Sequence, residues 1–392
     1  MLNQQLLTPG QKDSYRGFCE FVQEQVAPYA AEWDKNRGVP REVIEKCSQA
    51  GFVGGIIPRE FGGGGWDAVT FGLLNEAIGA ASSSLCALFT VQTMVAMPLV
   101  KWGSTEQQKQ FLEPMAKGDI IASFATTEPK VGSDIQSIET TLTPQGDAYL
   151  LNGTKRWITY SGIADIFLVF AKTSDEGKPV ACIVRSDAPG VKTTRLEDML
   201  GFRGVYLSQI EFNQCEVRQE DLVGKPGFAL TYVAPYGLHF GRLSTAWSSA
   251  GLLRACIETS AAFVSQRRAF DHKLIDHGQI RELIADMGVD LEAARLLCLH
   301  AALAEDAHLP KAMEKTLMAK YQASRAAAKA AANTIQIMGA AGCHEENRAA
   351  RYYRSAKIME IIEGTNQVLQ NVLGKSLFKQ FSKLPPEKTK PK

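Results

Sequence analysis

The sequence lacks both a charge imbalance and any metal-binding motif. Its 43 lysines and arginines are matched by 42 aspartates and glutamates, a formal net charge of +1 in 392 residues. A nucleic-acid partner is therefore not expected, because phosphate-binding surfaces carry an excess of basic residues. The eight cysteines are scattered without a CxxC pair, and the six histidines form no HExxH motif, so we expect neither a disulfide framework nor a metal site.

Long hydrophobic runs are also missing. No apolar run approaches the roughly 20 residues that cross a bilayer, and the N-terminus does not show the basic and then apolar layout of a signal peptide. We therefore expect a cytoplasmic protein without a membrane partner, whose cysteines are buried, reduced thiols. The content of 45% hydrophobic and 22% charged residues is that of an ordinary globular protein, and the length suggests two or three domains.

Helical periodicity dominates residues 1–120, which we predict to form an N-terminal helical domain. Tyr15, Phe18 and Val22 recur at the spacing of one helix face. The segment 57–65 contains a proline and four consecutive glycines, so it is predicted to be a loop.

Short strands follow in residues 121–232, which we predict to form a small antiparallel, barrel-like middle domain. Ile166–Phe170 and Val180–Val184 are apolar runs bounded by turn residues, as buried strands are. Asn152 and Gly153 end another run and predict a β-hairpin turn, because this dipeptide readily adopts the left-handed conformation that tight hairpins need.

Long helical patterns rich in alanine return in residues 233–381, which are predicted to form a C-terminal four-helix bundle. The clearest helix covers 313–338, where repeated alanines form a strong helix-forming stretch. Residues 382–392 are rich in lysine and proline and are predicted to be a disordered tail. The expected fold class is therefore α+β with several domains, in the order helices, small β domain and helical bundle.

Four segments in this order resemble signatures of the acyl-CoA dehydrogenase family. Each string alone is common, but together with the glycine-rich loop and residues 104–119 they extend over almost the whole chain. The resemblance implies the fold of that family, FAD as the cofactor, and a homodimer or homotetramer as the assembly. The segments are Ala125–Asp134, Gly153–Thr159 with Gly162–Asp165, Gln336–Gly342, and Lys357–Gln367.

The first two segments contain residues suited to a flavin. Thr126 and Thr127 at a strand end can offer hydroxyl and backbone N–H groups to the polar edge of an isoalloxazine ring, and the turn with Ser133 can bind a pyrophosphate. Trp157 and Thr159 are two residues apart, so a regular strand would place both on one face. The alternatives are an ordinary strand followed by a turn, and a tryptophan that belongs to the core.

The resemblance also implies that a second subunit completes the cofactor site. In the family, residues at the places of Arg267, Phe270, Gln336 and Gly339 contact the cofactor across the subunit interface. The alternative for Arg267 is a solvated helix end. The cofactor contacts expected from the resemblance are Phe124, Thr126, Thr127, Gly132, Ser133, Trp157, Thr159, Arg267, Phe270, Gln336, Gly339, Thr365 and Gln367.

Glu363 is the predicted catalytic residue. Oxidation of a saturated acyl thioester requires a base that removes the α-proton while a β-hydride moves to flavin N5. Glu363 lies between the apolar Ile362 and Gly364, surroundings that should desolvate it and raise its pKa. A nearby amide can donate a hydrogen bond to the thioester carbonyl. Some relatives carry the base just before Arg242, where this chain has Gly241. The alternative is a glutamate that only stabilises a helix start.

Ser133, His239, Arg242 and Gly364 are the substrate contacts expected from the resemblance. Many relatives that bind coenzyme A place an acid where His239 stands, and use it with the arginine on the pantetheine arm. The sequence around Arg242 and Glu363 resembles more closely a branch of the family in polyketide and peptide biosynthesis. Members of that branch oxidise short polar acyl groups carried on an acyl carrier protein.

The expected activity is FAD-dependent α,β-dehydrogenation of an acyl thioester, with a short acyl group on coenzyme A or on an acyl carrier protein. One alternative is a biosynthetic acyl carrier protein dehydrogenase that makes a polyketide extender unit. Another is a flavin oxidase or a non-catalytic flavin-binding protein. The sequence does not identify the electron acceptor, which in catabolic relatives is an electron-transfer flavoprotein. The depth of the acyl pocket should depend on residues 89–93. Met94 and Met97 favour a shallow pocket, and the alternative is that both are ordinary core residues.

Overall fold

The structure, a computed structural model, describes residues 4–382; apart from Ser382, the predicted tail lies outside this range. The N-terminal region is helical, and Tyr15, Phe18 and Val22 are buried on its first helix, as their spacing predicts. The helices are α1 (Pro9–Gln25), α2 (Ala30–Lys35), α3 (Arg41–Gln49), α4 (Ala68–Ala81), α5 (Ser83–Trp102), α6 (Thr105–Gln107) and α7 (Glu113–Lys117).

A seven-stranded sheet follows the first helices. Its strands are β1 (Ala122–Ala125), β2 (Thr141–Gln145), β3 (Ala148–Ile158), β4 (Ile166–Thr173), β5 (Pro179–Arg185), β6 (Val191–Arg195) and β7 (Ser208–Arg218). They are ordered β1-β4-β2-β3-β7-β6, and β5 also pairs with β4. The predicted strands at 166–170 and 180–184 are therefore confirmed as β4 and β5.

The sheet differs from the prediction in two respects. It is mixed rather than purely antiparallel, because β4 runs parallel to both β1 and β2. The tight turn of the β2–β3 hairpin lies at Gly146, which has a φ of 61°, and not at Asn152 and Gly153. Those two residues lie inside β3 at a shift in the register with β7, where the Asn152 side chain accepts a hydrogen bond from the backbone of Gln214. The dipeptide therefore forms a bulge.

The C-terminal region is again helical. Three long helices pack on one another there, and α8 also packs against α4 and α5 of the N-terminal region. The predicted helix at 313–338 is confirmed as α10. The elements are α8 (Ala234–Gln266), the hairpin β8 (Arg268–Ala269) and β9 (His272–Lys273), α9 (Gly278–Asp306), α10 (Ala312–Met338), α11 (Ala340–Cys343), α12 (Arg348–Met359) and α13 (Asn366–Phe381).

Close packing of α4 against α8 joins the two helical regions. A Cβ atom added at Gly79 would lie 2.5 Å from Ser248 Oγ, and one added at Gly251 would lie 2.1 Å from the carbonyl oxygen of Glu76. Both positions therefore require glycine, because any side chain would push the helices apart. This contact fixes α8, which carries several of the predicted site residues, relative to α4.

Helix α5 is long and apolar enough to cross a membrane by length and composition alone, with 20 residues and a mean hydropathy of 1.6. The sequence analysis missed this segment because serine, threonine and glutamine interrupt its apolar run. However, 89% of the apolar window is buried inside the structure, against neighbours that include α8 and β1. We interpret α5 as a core helix.

Candidate active site

The segment between α12 and α13 presents Glu363 on a sharp turn. Glu363 has a φ of 56° and Gly364 a φ of 93°, so two consecutive residues are in the left-handed region. This conformation costs a non-glycine residue about 1–3 kcal/mol and persists only where the surroundings enforce it. The segment ends at Thr365, whose hydroxyl caps α13 by accepting a hydrogen bond from the backbone of Val368 at 3.3 Å.

Two cations hold this turn, the partly buried Arg242 and the fully buried Lys320. Arg242 on α8 donates from Nε to the carbonyl oxygen of Glu363 at 2.9 Å. Lys320 on α10 donates from Nζ to the carbonyl oxygen of Gly364 at 2.9 Å. The turn is thus fixed between two long helices of the C-terminal region.

The carboxylate of Glu363 is buried, and one of its oxygens is free to accept a proton. Its Oε2 atom has no hydrogen-bond partner within residues 4–382. Burial raises the pKa of Glu363 to about 7, although the positive charges of Arg242 and Lys320 act in the opposite direction. A carboxylate with this pKa and a free oxygen is suited to accept a proton near neutral pH.

Gly241 lies directly against that carboxylate. A Cβ atom at position 241 would lie 2.5 Å from Glu363 Oε2 and 2.7 Å from Met94 Sδ. Gly241 therefore faces the carboxylate of Glu363, the predicted base. A side chain at position 241 would require Glu363 or Met94 to move.

A cavity of about 30 Å³ lies beside Glu363, where helices α5 and α8 meet the end of β3. Its lining is rich in small polar side chains, and it includes two residues from the predicted pocket region 89–93. It also includes Cys86, which the sequence analysis expected to have only a structural role. The lining consists of Ser83, Cys86, Ala87, Thr90, Val91, Thr159, Phe202, Thr245, Ser248, Met359, Ile362 and Glu363.

The predicted flavin-contacting segments after β1 and in β3 lie side by side. Lys155 is fully buried and donates from Nζ to Glu128 Oε1 at 2.7 Å and to the carbonyl oxygen of Thr126 at 3.0 Å. Glu128 also accepts a hydrogen bond from the hydroxyl of Thr140 at 2.6 Å. The sequence analysis missed this ion pair, although both residues stand inside the quoted motifs. It holds Thr126 next to β3.

Trp157 and Thr159 do not follow the regular alternation that was predicted for them. Trp157 has a φ of 63°, and the register of β3 with β7 shifts between Lys155 and Ile158, so the strand bulges there. The bulge leaves the Trp157 side chain 46% exposed, while Thr159 lines the cavity with Glu363. The two residues are therefore positioned by a bulge and not by the pleat of a strand.

Three family models match the chain. They are the acyl-CoA dehydrogenase N-terminal domain at residues 8–119, the middle domain at 123–215 and the C-terminal domain at 231–378. The chain belongs to the acyl-CoA dehydrogenase family. It is therefore an oxidoreductase of a class that depends on FAD, and the architecture described above is the acyl-CoA dehydrogenase fold.

Relatives and solved structures extend over nearly the whole chain. The short-chain specific mitochondrial acyl-CoA dehydrogenase of Rattus norvegicus is 34% identical over 366 residues, which are 92% of this chain and 88% of the relative. Butyryl-CoA dehydrogenase from Megasphaera elsdenii has a TM-score of 0.91 at 30% identity, with 95% of this chain and 99% of that chain covered.

Two further proteins of similar structure have descriptions that refer to carrier-protein or polyketide chemistry. The prolyl acyl carrier protein oxidase AnaB has a TM-score of 0.90 at 26% identity and covers 95% of this chain and 99% of its own. FkbI, described as serving biosynthesis of the methoxymalonyl extender unit of a polyketide, has a TM-score of 0.84 at 29% identity, with 93% and 99% covered.

Some of the residues expected to hold FAD have free backbone N–H groups that could bind it, at Thr127 and in the turn that follows. The backbone N–H groups of Thr127, Gly132 and Ser133 donate to no backbone acceptor in the described part of the chain, and Gly132 and Ser133 are exposed. Free amides of this kind suit a phosphate or the polar edge of a flavin ring. Phe124 differs, because its side chain is buried against Phe170, with ring centroids 4.9 Å apart. Only its backbone could face a cofactor.

The residues expected to act across a subunit interface lie on the surface, away from the cavity. Phe270 is 88% exposed, and Arg267, Gln336 and Gly339 are also exposed. None of the four lines the cavity beside Glu363. Gln367, on the first turn of α13, is exposed as well. Their contacts with a cofactor remain predictions.

His239 has a partner that the sequence did not reveal. It is buried on α8, and its Nε2 atom lies 2.8 Å from Glu305 Oε2 near the end of α9. Its Nδ1 atom is buried without a hydrogen-bond partner in residues 4–382. Although burial alone would raise the pKa of Glu305, His239 lowers it overall. The predicted substrate contact His239 is thus one member of a histidine–glutamate pair between α8 and α9.

Proposed function

We propose that this enzyme oxidises the α,β bond of a short acyl thioester, with Glu363 removing the α-proton. The observation that carries the proposal is the buried Glu363 carboxylate, which has a free oxygen in a cavity shared with Thr159 of the middle region. The proton moves from the α-carbon to Glu363, and bound FAD supplies the acceptor for the β-hydride.

Backbone groups beside Glu363 can orient the thioester. The N–H groups of Glu363 and Gly364 have no backbone acceptor within the part of the chain that the structure describes. Either can donate a hydrogen bond to the thioester carbonyl, which would acidify the α-carbon as an oxyanion hole does. Arg242 and Lys320 hold this backbone in place.

The lining of the cavity favours an acyl group that carries a polar substituent. Ser83, Thr90, Thr159, Thr245 and Ser248 place five hydroxyl-bearing side chains in the lining. Hydroxyl groups in this lining can exchange hydrogen bonds with a polar group on the acyl chain, which a purely apolar chain does not offer.

Replacement of the base tests the proposal. Glu363→Gln should keep bound FAD but lower the rate of anaerobic flavin reduction by about 10³-fold, because general-base catalysis contributes 10²–10⁴. Bleaching of the flavin absorbance in a stopped-flow instrument measures that rate. Glu24→Gln, at an exposed position on α1, is the matched control and should reduce normally. Normal reduction by Glu363→Gln would refute the assignment of the base.

We further propose that the acyl group is delivered by an acyl carrier protein. The pairing of His239 with Glu305 supports this, because His239 occupies the position of the acid that many coenzyme A-binding relatives use. The likeness to AnaB and FkbI, whose descriptions refer to carrier-protein and polyketide chemistry, is consistent with it.

The same short acyl group presented on both carriers separates the two possibilities. We expect flavin reduction with the carrier-protein substrate to be at least about tenfold faster than with the coenzyme A form at equal concentration, a difference of about 1.4 kcal/mol. Equal rates with both carriers for the unaltered enzyme would contradict carrier-protein specificity and leave the dehydrogenase proposal intact.

A further inference from the structure

Lys320 is a buried lysine whose hydrogen bonds all go to the segment that carries Glu363. It lies in α10 with no exposed surface. Its Nζ atom donates to the carbonyl oxygen of Gly364 at 2.9 Å, to Asn366 Oδ1 at 3.1 Å and to the carbonyl oxygen of Glu360 at 3.4 Å. The lysine thus connects both ends of the turn around Glu363.

An ammonium group in this position is costly for the fold. Its three hydrogen-bond acceptors are neutral oxygens, and removing an ammonium ion from water is unfavourable unless a negative charge lies close by. Burial lowers the pKa of Lys320 to about 7, while Glu363 and Glu360 raise it and Arg242 lowers it. The two carboxylates that favour the charged form of Lys320 are those of Glu363, whose Oε2 atom has no hydrogen-bond partner within residues 4–382, and of Glu360.

We propose that Lys320 is a positioning residue for Glu363: it holds the left-handed turn at Glu363 and Gly364, and its charge stabilises the ionised carboxylate. The proposal rests on the function assigned to Glu363 above. Ser324 belongs to the same buried network and donates to Asn366 Oδ1 at 3.0 Å, but it carries no charge. Position and charge can therefore be separated by substitution.

The charges around Glu363 come from three elements. Arg242 reaches it from α8, Lys320 from α10, and Glu360 from the end of α12, where Glu360 is itself paired with Lys357 at 2.9 Å. Arg242 and Lys320 both lower the pKa of Glu363, so loss of the Lys320 charge should raise it further. More of the enzyme would then be in the protonated form, which cannot accept the α-proton, at neutral pH.

Two substitutions distinguish positioning from charge. Lys320→Met removes the donors and the charge, whereas Lys320→Gln keeps an amide donor without the charge. In both variants the midpoint of the pH dependence of flavin reduction should move to higher pH. The rate at alkaline pH should fall by about 10²-fold in Lys320→Met, because the carboxylate is no longer held in position, and by less in Lys320→Gln.

An infrared titration of the carboxyl group gives a readout that does not depend on catalysis. The carbonyl band of a protonated carboxylic acid that disappears in Glu363→Gln reports the protonation of Glu363 directly. We expect this band to persist to higher pH in both Lys320 variants than in the unaltered enzyme. A midpoint that stays the same in both variants would overturn the proposal and leave Lys320 with a merely structural role.

Control variants and the unaltered enzyme complete the test. Lys329→Met removes an exposed lysine on the same helix, and Ser324→Ala removes a neutral member of the buried network; neither should move the midpoint. If neither Lys320 variant folds, titration of Glu363 in the unaltered enzyme still tests the proposal. Coupling to Lys320 should spread the Glu363 titration over a wider pH range than a single independent group shows, and a simple titration would refute it.

The failure of this proposal can be told from failure of the proposed function. An unchanged midpoint in the Lys320 variants, with Glu363→Gln inactive, would refute only the role of Lys320. Normal flavin reduction by Glu363→Gln would refute the function, whereas the infrared titration would still show whether Lys320 controls the protonation of Glu363.

Discussion

The carboxylate of Glu363 and the backbone of Gly241 are in contact across the site, although 122 residues separate them in the chain. A Cβ atom at position 241 would overlap both Glu363 Oε2 and Met94 Sδ. The Glu363 carboxylate, the predicted base, occupies its present position because the facing residue of α8 has no side chain. Position 241 is therefore a sensitive test of where the carboxylate must lie.

Gly241→Ala should displace the Glu363 carboxylate and slow flavin reduction by about 10²-fold, because a shift of roughly 1 Å in a reacting group can cost that much. Bound FAD should be retained, since Gly241 is not among the predicted cofactor contacts. Stopped-flow reduction measures the rate, and flavin absorbance per chain measures the retention. Gly17→Ala on α1, where an added Cβ meets nothing within 4 Å, is the matched control. Unimpaired reduction by Gly241→Ala would show that the contact does not restrict the base.

Some site residues could be predicted from the sequence because local chemistry marks them. Glu363 stands among apolar neighbours next to a glycine, and Thr126 and Thr127 directly follow a strand. The partners of His239 and Lys320 could not be predicted in this way. Glu305 is 66 residues from His239, and Gly364 is 44 residues from Lys320, so only the packing of α8, α9 and α10 brings these groups together.

At the level of secondary structure, a buried ion pair and backbone hydrogen bonds such as Arg156 N to the carbonyl oxygen of Thr127 at 2.9 Å join β3 to the segment after β1. Lys155 and Glu128 lie 2.7 Å apart and are almost fully buried. Burial lowers the pKa of Lys155 to about 8, although Glu128 raises it. Although burial alone would raise the pKa of Glu128, Lys155 and the hydrogen bonds of Glu128 lower it overall. The pair joins the two segments that are expected to face the flavin.

Lys155→Met should destabilise the protein by about 3–5 kcal/mol, because it leaves Glu128 charged and buried without its partner. Thermal or urea unfolding followed by circular dichroism measures the loss. The double variant Lys155→Met with Glu128→Gln should recover much of it, since no unpaired charge remains. Lys192→Met, at an exposed lysine on β6, should change the stability little. A loss in Lys155→Met no larger than in Lys192→Met would contradict the role given to the ion pair.

The strand prediction shows where periodicity stops being informative. The apolar runs of β4 and β5 were identified correctly, because both strands are buried and bounded by turn residues. The bulges of β3 were not predicted, since a bulge depends on the register with β7 and not on β3 alone. Asn152 and Gly153 have the composition of a hairpin turn and instead form an irregularity inside a long strand.

At the scale of the whole molecule, the site lies where three regions of the chain meet. The N-terminal region contributes α5 to the cavity, the sheet contributes Thr159, and the C-terminal region contributes α8 and the Glu363 segment. The four residues that the family resemblance places across a subunit interface lie on the surface. The hairpin of β8 and β9 is the clearest case, because its turn residues Phe270 and Asp271 have φ values of 50° and 62° and point Phe270 into solvent.

A second copy of the chain would give these exposed groups a partner. Val289, Leu296 and Leu303 follow one another at intervals of seven residues on α9 and are 70%, 47% and 50% exposed, so they form an apolar stripe on one face of the helix. Exposed apolar surface of this extent is typical of interaction sites. We therefore expect the enzyme to be a homodimer or homotetramer in which Phe270 of one subunit contacts the cofactor of another.

Phe270→Ala tests this arrangement at the level of the assembly. If Phe270 contacts FAD across the interface, the variant should keep its oligomeric state and secondary structure. Its affinity for FAD should fall by about tenfold or more, because a fully buried aromatic side chain contributes about 1.5–3 kcal/mol. Light scattering after size exclusion gives the mass, and FAD titration of the apoprotein gives the affinity. Phe378→Ala, at a 72% exposed phenylalanine on α13, should retain normal FAD affinity. A monomeric unaltered enzyme that binds FAD tightly would refute the shared site, because a single chain leaves Phe270 in water.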